Sequence, residues 1–125
     1  MRVVWSSLAL GCVLVSCDHS RAVAPPPAQS FDCTAVSVAG IVLTTVDSVS
    51  DTPVLTTATV TVQDGAHTEP GLAAPPSYYA AYERPGTYLV TATVTGYRQW
   101  QAANVVVRSD QCHVQTVRLT ARLVR

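Results

Sequence analysis

Thr87-Tyr88-Leu89-Val90-Thr91-Ala92-Thr93-Val94-Thr95 is the stretch whose reading decides the fold. Tyr88, Val90, Ala92 and Val94 fall on one side of an extended chain, and Thr91, Thr93 and Thr95 on the other. Successive side chains of a strand point to opposite faces, so this alternation describes a strand with one face in a core and one in water. A helix would scatter the same apolar residues around its circumference.

The pattern repeats outward from there. Thr57-Ala58-Thr59-Val60-Thr61-Val62 sets Ala58, Val60 and Val62 against threonines. Near the end, Val117, Leu119, Ala121 and Leu123 oppose Thr116, Arg118, Thr120 and Arg122. Residues 35–46 are more uniformly apolar, as in a strand covered on both faces. Residues 104–108 supply a short strand and residues 78–82 a weaker one. Turn signals separate them: Asp51-Thr52-Pro53, Asp64-Gly65, Pro75-Pro76, Pro85-Gly86 and Arg108-Ser109-Asp110. No segment keeps helical spacing. The expectation is an all-β fold, a small antiparallel sandwich of about seven strands, Ig-like or transthyretin-like in architecture. The Pro-, Gly- and Ala-rich run over 66–77 leaves the order of the middle strands open.

Pro53 with Ala58-Thr59-Val60-Thr61-Val62, then Pro85-Gly86-Thr87-Tyr88, then Gly96-Tyr97 follow one another in an order that resembles the carboxypeptidase regulatory-like domain, a transthyretin-like sandwich. The resemblance covers roughly residues 34–124 and departs at 66–77, where the usual Asp-Gly-rich turn is missing. It implies an accessory module, since in the metallocarboxypeptidases the zinc-bearing catalytic domain lies elsewhere. Independently of the family, Gly86 and Gly96 are expected to permit tight turns at positive φ. Tyr88 and Tyr97 are expected to bury their rings while their hydroxyls find partners.

The amino-terminal segment has a different character. Met1 and Arg2 precede an apolar run over residues 3–15 that is too short to span a bilayer and fits the h-region of an export signal. Leu14-Val15-Ser16-Cys17 closes it and resembles the lipobox of bacterial lipoproteins, in which the cysteine thiol receives a diacylglycerol group and the signal is cut just before it. The expected organisation is a signal peptide over 1–16, a lipidated Cys17 with a tether over 17–32, and the sandwich domain over 33–125. An ordinary secretory signal, or an anchor at Cys12, are the alternatives. Asp18 resembles the signal that retains enteric lipoproteins in the inner membrane, and the choice of membrane stays open. Ala24-Pro25-Pro26-Pro27-Ala28 favours an extended polyproline tether.

On this reading the four cysteines sort themselves. Cys12 leaves with the signal and Cys17 carries the lipid. Cys33 and Cys112 remain, at the two ends of the domain and in an oxidising compartment, and are expected to form a disulfide. Closing so long a loop is worth about 4–5 kcal/mol in the chain-entropy model.

Composition narrows the function. Charged residues make up 13% of the chain and the formal net charge is zero. All eight basic residues are arginine, without a patch dense enough for nucleic acid. His-Glu-x-x-His, Gly-x-Ser-x-Gly and a phosphate loop are absent from the sequence. Asp64, His67 and Ser77 make a hydrolytic set only on paper. Asp47 and Asp51 flank a turn and are expected to cap it, since two carboxylates without a denser oxygen set do not make a calcium site. His113 beside Cys112 does not complete a tetrahedral zinc set, so neither metal nor cofactor is expected.

Tyr78, Tyr79 and Trp100, with Tyr82 nearby, form the candidate binding surface, because aromatics stack on sugars and anchor interfaces. The expected function is that of a membrane-anchored, non-catalytic cell-envelope module that binds a partner or plays a structural part. Its partners are the membrane, through the lipid on Cys17, and an envelope protein or glycan. A carbohydrate- or peptidoglycan-binding accessory module is the alternative, and a small envelope hydrolase a third.

Overall fold

A computed structural model describes residues 24–28 and 30–125. The expected signal, Cys12 and Cys17 lie outside the described residues. Among those described, the strands in chain order are β1 (Ala39–Asp47), β2 (Thr59–Asp64), β3 (His67–Pro70), β4 (Leu72–Ala74), β5 (Ser77–Tyr82), β6 (Gly86–Thr93), β7 (Trp100–Ser109), β8 (Val114–Gln115) and β9 (Val117–Leu123). They form two packed sheets, ordered β4-β5-β1-β9 and β3-β2-β6-β7-β8. The protein is a small all-β sandwich.

The sheets are laid down by the alternation that marks the strands. Tyr88, Val90, Ala92 and Val94 are all buried, as are Ala58, Val60 and Val62. Ile41, Leu43, Tyr78, Ala80, Ala121 and Leu123 close the same core from the other sheet. The run expected over 35–46 becomes a strand only from Ala39, with residues 35–37 exposed, but from there it is covered on both faces: even the outward Val42 is only 8% exposed, set in register between Tyr79 and Arg118. Thr45, fully buried, donates its hydroxyl to the Val54 carbonyl at 3.1 Å, which removes the cost of an unpaired polar group in the core.

Several expectations need correction. Among the described residues nine strands replace about seven, because the 66–77 run contributes β3 and β4 and the approach to the last strand contributes β8. These have four, three and two residues, too few for alternation to show. Their backbones extend because neighbours offer hydrogen-bond partners: β3 pairs with β2, β4 with β5 and β8 with β7. Pro70 is tolerated because β3 is a sheet edge.

The sandwich is also not wholly antiparallel, since β9 runs parallel to β1, with Ile41 opposite Val117 through Asp47 opposite Leu123. Only Thr116 separates β8 from β9, so the chain passes from one sheet to the other without reversing, its Thr116 hydroxyl donating to the Ala39 carbonyl at 2.8 Å.

Gly96 has the positive φ expected of it, +86°. Gly86 does not, and its small size serves packing instead. A Cβ at residue 86 would run into the Asp64 carboxylate across the sheet.

Candidate functional site

Four regions gather the side chains that matter. The first is the end of the sandwich where the chain approaches β1. Cys33 and Cys112 form a disulfide there, with Cα atoms 5.2 Å apart and a sequence separation of 79. The Asp110 turn presents Cys112: Asp110 Oδ1 accepts from the amides of Cys112 (2.8 Å) and His113 (2.9 Å). The amides of His113 and Cys112 hold the Asp110 carboxyl below its usual range.

Beside the bridge, Glu83 collects the incoming chain. Its Oε1 accepts from Val38 N–H at 2.7 Å and lies 2.8 Å from His113 Nδ1, while Oε2 accepts from Val114 N–H at 3.3 Å. His113 Nε2 lies 2.9 Å from the Thr34 hydroxyl. The Val38 amide lowers the Glu83 carboxyl most; burial works against it, and His113 and Val114 add to the lowering. The order hydroxyl, imidazole, carboxylate is that of a hydrolase triad. Both Glu83 oxygens are engaged in backbone bonds, however, which makes the group a clasp on residues 34–38. No linear signal announces it, because Glu83 and His113 are 30 residues apart and Thr34 and His113 79 apart.

The second region is the candidate aromatic surface, which the structure takes apart. Tyr78 is 1% exposed and belongs to the core, its hydroxyl accepting from Ala58 N–H at 2.7 Å. It sits opposite Leu43 on the inward face, so the adjacent Tyr79 points outward. Tyr79 is half-buried on the outside of the first sheet, between Val42 and Leu72 in register. Trp100 stands in the other sheet, on its inward side, half-buried and packed against the core. The three therefore share no surface. Tyr82, 40% exposed, is the most open of the candidates.

At the opposite end of the sandwich, Asp47 caps the turn that follows β1, its Oδ1 accepting from Val49 N–H (3.0 Å) and Ser50 N–H (3.1 Å). Its Oδ2 accepts from the Tyr97 hydroxyl at 3.0 Å and from Arg125 Nε at 3.3 Å. Those amides, then Tyr97, bring its pKa from 3.8 to about 2. Arg125 lies over the Tyr97 ring at 5.0 Å. Asp51 pairs with Arg122. The two aspartates thus serve the turn and the arginines. Among the described residues no group of three or more His, Cys, Asp or Glu side chains is placed to hold a metal ion.

The paper hydrolytic set does not assemble. His67 pairs with Glu69 at 2.8 Å, Asp64 faces Arg84 at 4.0 Å, and Ser77, in the other sheet, has its hydroxyl 3.5 Å from that of Thr44. Burial opposes ionisation of Glu69, yet bonds from His67 and the Ala81 amide keep its carboxyl below the ordinary range.

The fourth region has no signature in the linear sequence. Among the described residues, β9 is the edge of the first sheet, and β7 is covered on its outer side only at Arg108 and Ser109, by β8. No further strand among those residues covers the seam between them. Inward-facing Trp100, Ala102, Val117 and Leu119 pack on the core there yet stay half-buried, whereas Val105, Val107, Ala121 and Leu123 are buried.

No family model matches the chain, and comparison with the curated proteins finds no match either. The functional reading therefore rests on the residues and the fold.

Proposed function

We propose that this protein is a lipid-anchored protein of the bacterial cell envelope whose folded part, akin to carboxypeptidase regulatory-like domains, is a non-catalytic binding or structural module. Leu14-Val15-Ser16-Cys17 at the end of an apolar run carries the reading, for it provides the thiol and the small residue that lipidation and cleavage use. The Cys33–Cys112 disulfide supports it, because such bonds persist outside the reducing cytosol. So does the prolyl stretch 25–27, which would hold the sandwich away from a bilayer.

A protein partner is favoured over a glycan. Stacking on sugar rings calls for neighbouring aromatic faces, and Tyr78 is in the core while Tyr79 and Trp100 belong to different sheets. Cell fractionation tests the anchor. The chain should sediment with membranes, and Cys17→Ser should abolish that association or leave the signal uncleaved. Equal recovery of Cys17→Ser as a processed, membrane-held protein would overturn the reading.

A further inference from the structure

We infer that the open edge of β9 docks an extended segment of a partner protein in which acidic and apolar residues alternate, adding it to the first sheet as a further strand. The inference deepens the reading of the domain as a binding module and rests on it.

The direction of the β9 backbone groups follows from two hydrogen bonds. Leu123 C=O accepts from Ser48 N–H on the β1 side at 2.9 Å, and the next carbonyl, Val124, accepts from Arg98 N–H at 2.7 Å on the other side. The N–H and C=O of one strand residue point the same way, and successive residues point oppositely. Val117, Leu119, Ala121 and Leu123 therefore bond to β1. Arg118, Thr120 and Arg122 turn their N–H and C=O groups to the open edge, where they have no backbone partner among the described residues. Such a row is a template for strand addition.

This edge differs from the others. It is seven residues long, keeps one register with β1 throughout and contains no proline. By contrast β3, β4 and β8 have four, three and two residues. β7 is broken by an irregularity between the Tyr88 and Val90 pairings, where Asn104 takes φ +56°. Bulges of this kind protect edges from pairing.

The side chains define the occupant. Residues paired across strands share a face. Those set opposite Arg118 and Arg122 would lie on the outer face beside two exposed guanidinium groups, one of which, Arg118, has no ion-pair partner among the described residues. Carboxylates suit that position. Residues opposite Val117, Leu119 and Ala121 would point into the seam and cover the half-buried Val117, Leu119 and Ala102. Apolar side chains suit that one. A second copy of this chain does not, since antiparallel pairing of two β9 edges about Thr120 would set Arg118 against Arg122. Nor does the chain's own tether, since Pro25, Pro26 and Pro27 have no N–H to donate.

The probe is a fluorescein-labelled nine-residue peptide of alternating valine and glutamate, with an alternating valine–lysine peptide as control, titrated into the full-length protein. Roughly tenfold tighter binding of the glutamate peptide is expected, with slowed amide exchange at Arg118, Thr120 and Arg122. Arg118→Glu with Arg122→Glu should reverse the preference between the peptides. Thr120→Pro should abolish binding, and its removed N–H faces solvent in the free protein; if that variant does not fold, the charge reversal decides. Equal binding of the two peptides, no binding at millimolar concentration, or binding that leaves the three amides unprotected would overturn the proposal. None of these outcomes bears on the lipid anchor, which Cys17→Ser tests separately.

Discussion

Asp47 and Tyr97, fifty residues apart in sequence, meet at 3.0 Å and hold together the turn after β1, the turn after β6 and the end of the chain. Arg125 completes the group, bonding Tyr97 Oη at 3.0 Å. The carboxylate is the common acceptor, so the cluster depends on its charge. A carboxyl whose folded pKa lies below its unfolded value contributes stability that is complete above the unfolded pKa and is lost as pH falls through the folded one. For Asp47 the window runs from 3.8 down to about 2. Glu69, Glu83 and Asp110 are lowered too and act in the same sense. Urea midpoints should therefore fall as pH drops through the carboxylate range, from about 4.5 downward. Asp47→Asn should be less stable at neutral pH and should show a shallower acid slope. An unchanged slope would exclude Asp47 as a contributor.

Tyr78 and Tyr79 are adjacent but face opposite ways, and their hydroxyls should matter unequally. Tyr78→Phe removes the acceptor for the buried Ala58 N–H and should cost about 1–3 kcal/mol. Tyr79→Phe should leave thermal stability nearly unchanged. Equal losses in the two variants would contradict the placement of Tyr78 in the core.

Opening the Cys33–Cys112 bridge frees a loop of 79 residues in the unfolded chain, a difference of about 4–5 kcal/mol in the chain-entropy model. Cys33→Ser with Cys112→Ser should lower the denaturation midpoint markedly, and dithiothreitol should do the same to the wild type alone. Sensitivity of the double variant to dithiothreitol would place the relevant bond elsewhere.

The Glu83–His113–Thr34 clasp predicts a local effect. With His113→Ala, limited proteolysis should speed up within residues 30–38 while strands β2 and β6 keep their protection, because the clasp holds the incoming chain and not the core. Uniform acceleration would show that His113 supports the whole fold.

The strands legible in the sequence were those long enough to alternate. Residues 87–95 and 116–123 announced both their extension and their buried face. β7 was legible only in its second half. Its inward residues are Trp100, Ala102, Val105 and Val107, and the extra residue at the bulge shifts the alternation by one, hiding the first half from a two-residue period. β3 and β4 hid among Pro, Gly and Ala because their extension is imposed by neighbours. The aromatic surface failed for a related reason: aromatic content marks importance, but only register shows that Tyr78 faces Leu43 inside while Tyr79 faces Val42 outside. The clasp joins residues from three distant segments and has no trace in any one of them.

The state of residue 17 is the most direct test of the account as a whole. Mass spectrometry of the protein extracted from membranes of its native host should find Cys17 as the first residue, carrying diacylglycerol, with Cys33 and Cys112 refractory to alkylation until reduced. A chain recovered from the cytosol beginning at Met1, with Cys33 and Cys112 both alkylated without reduction, would contradict it.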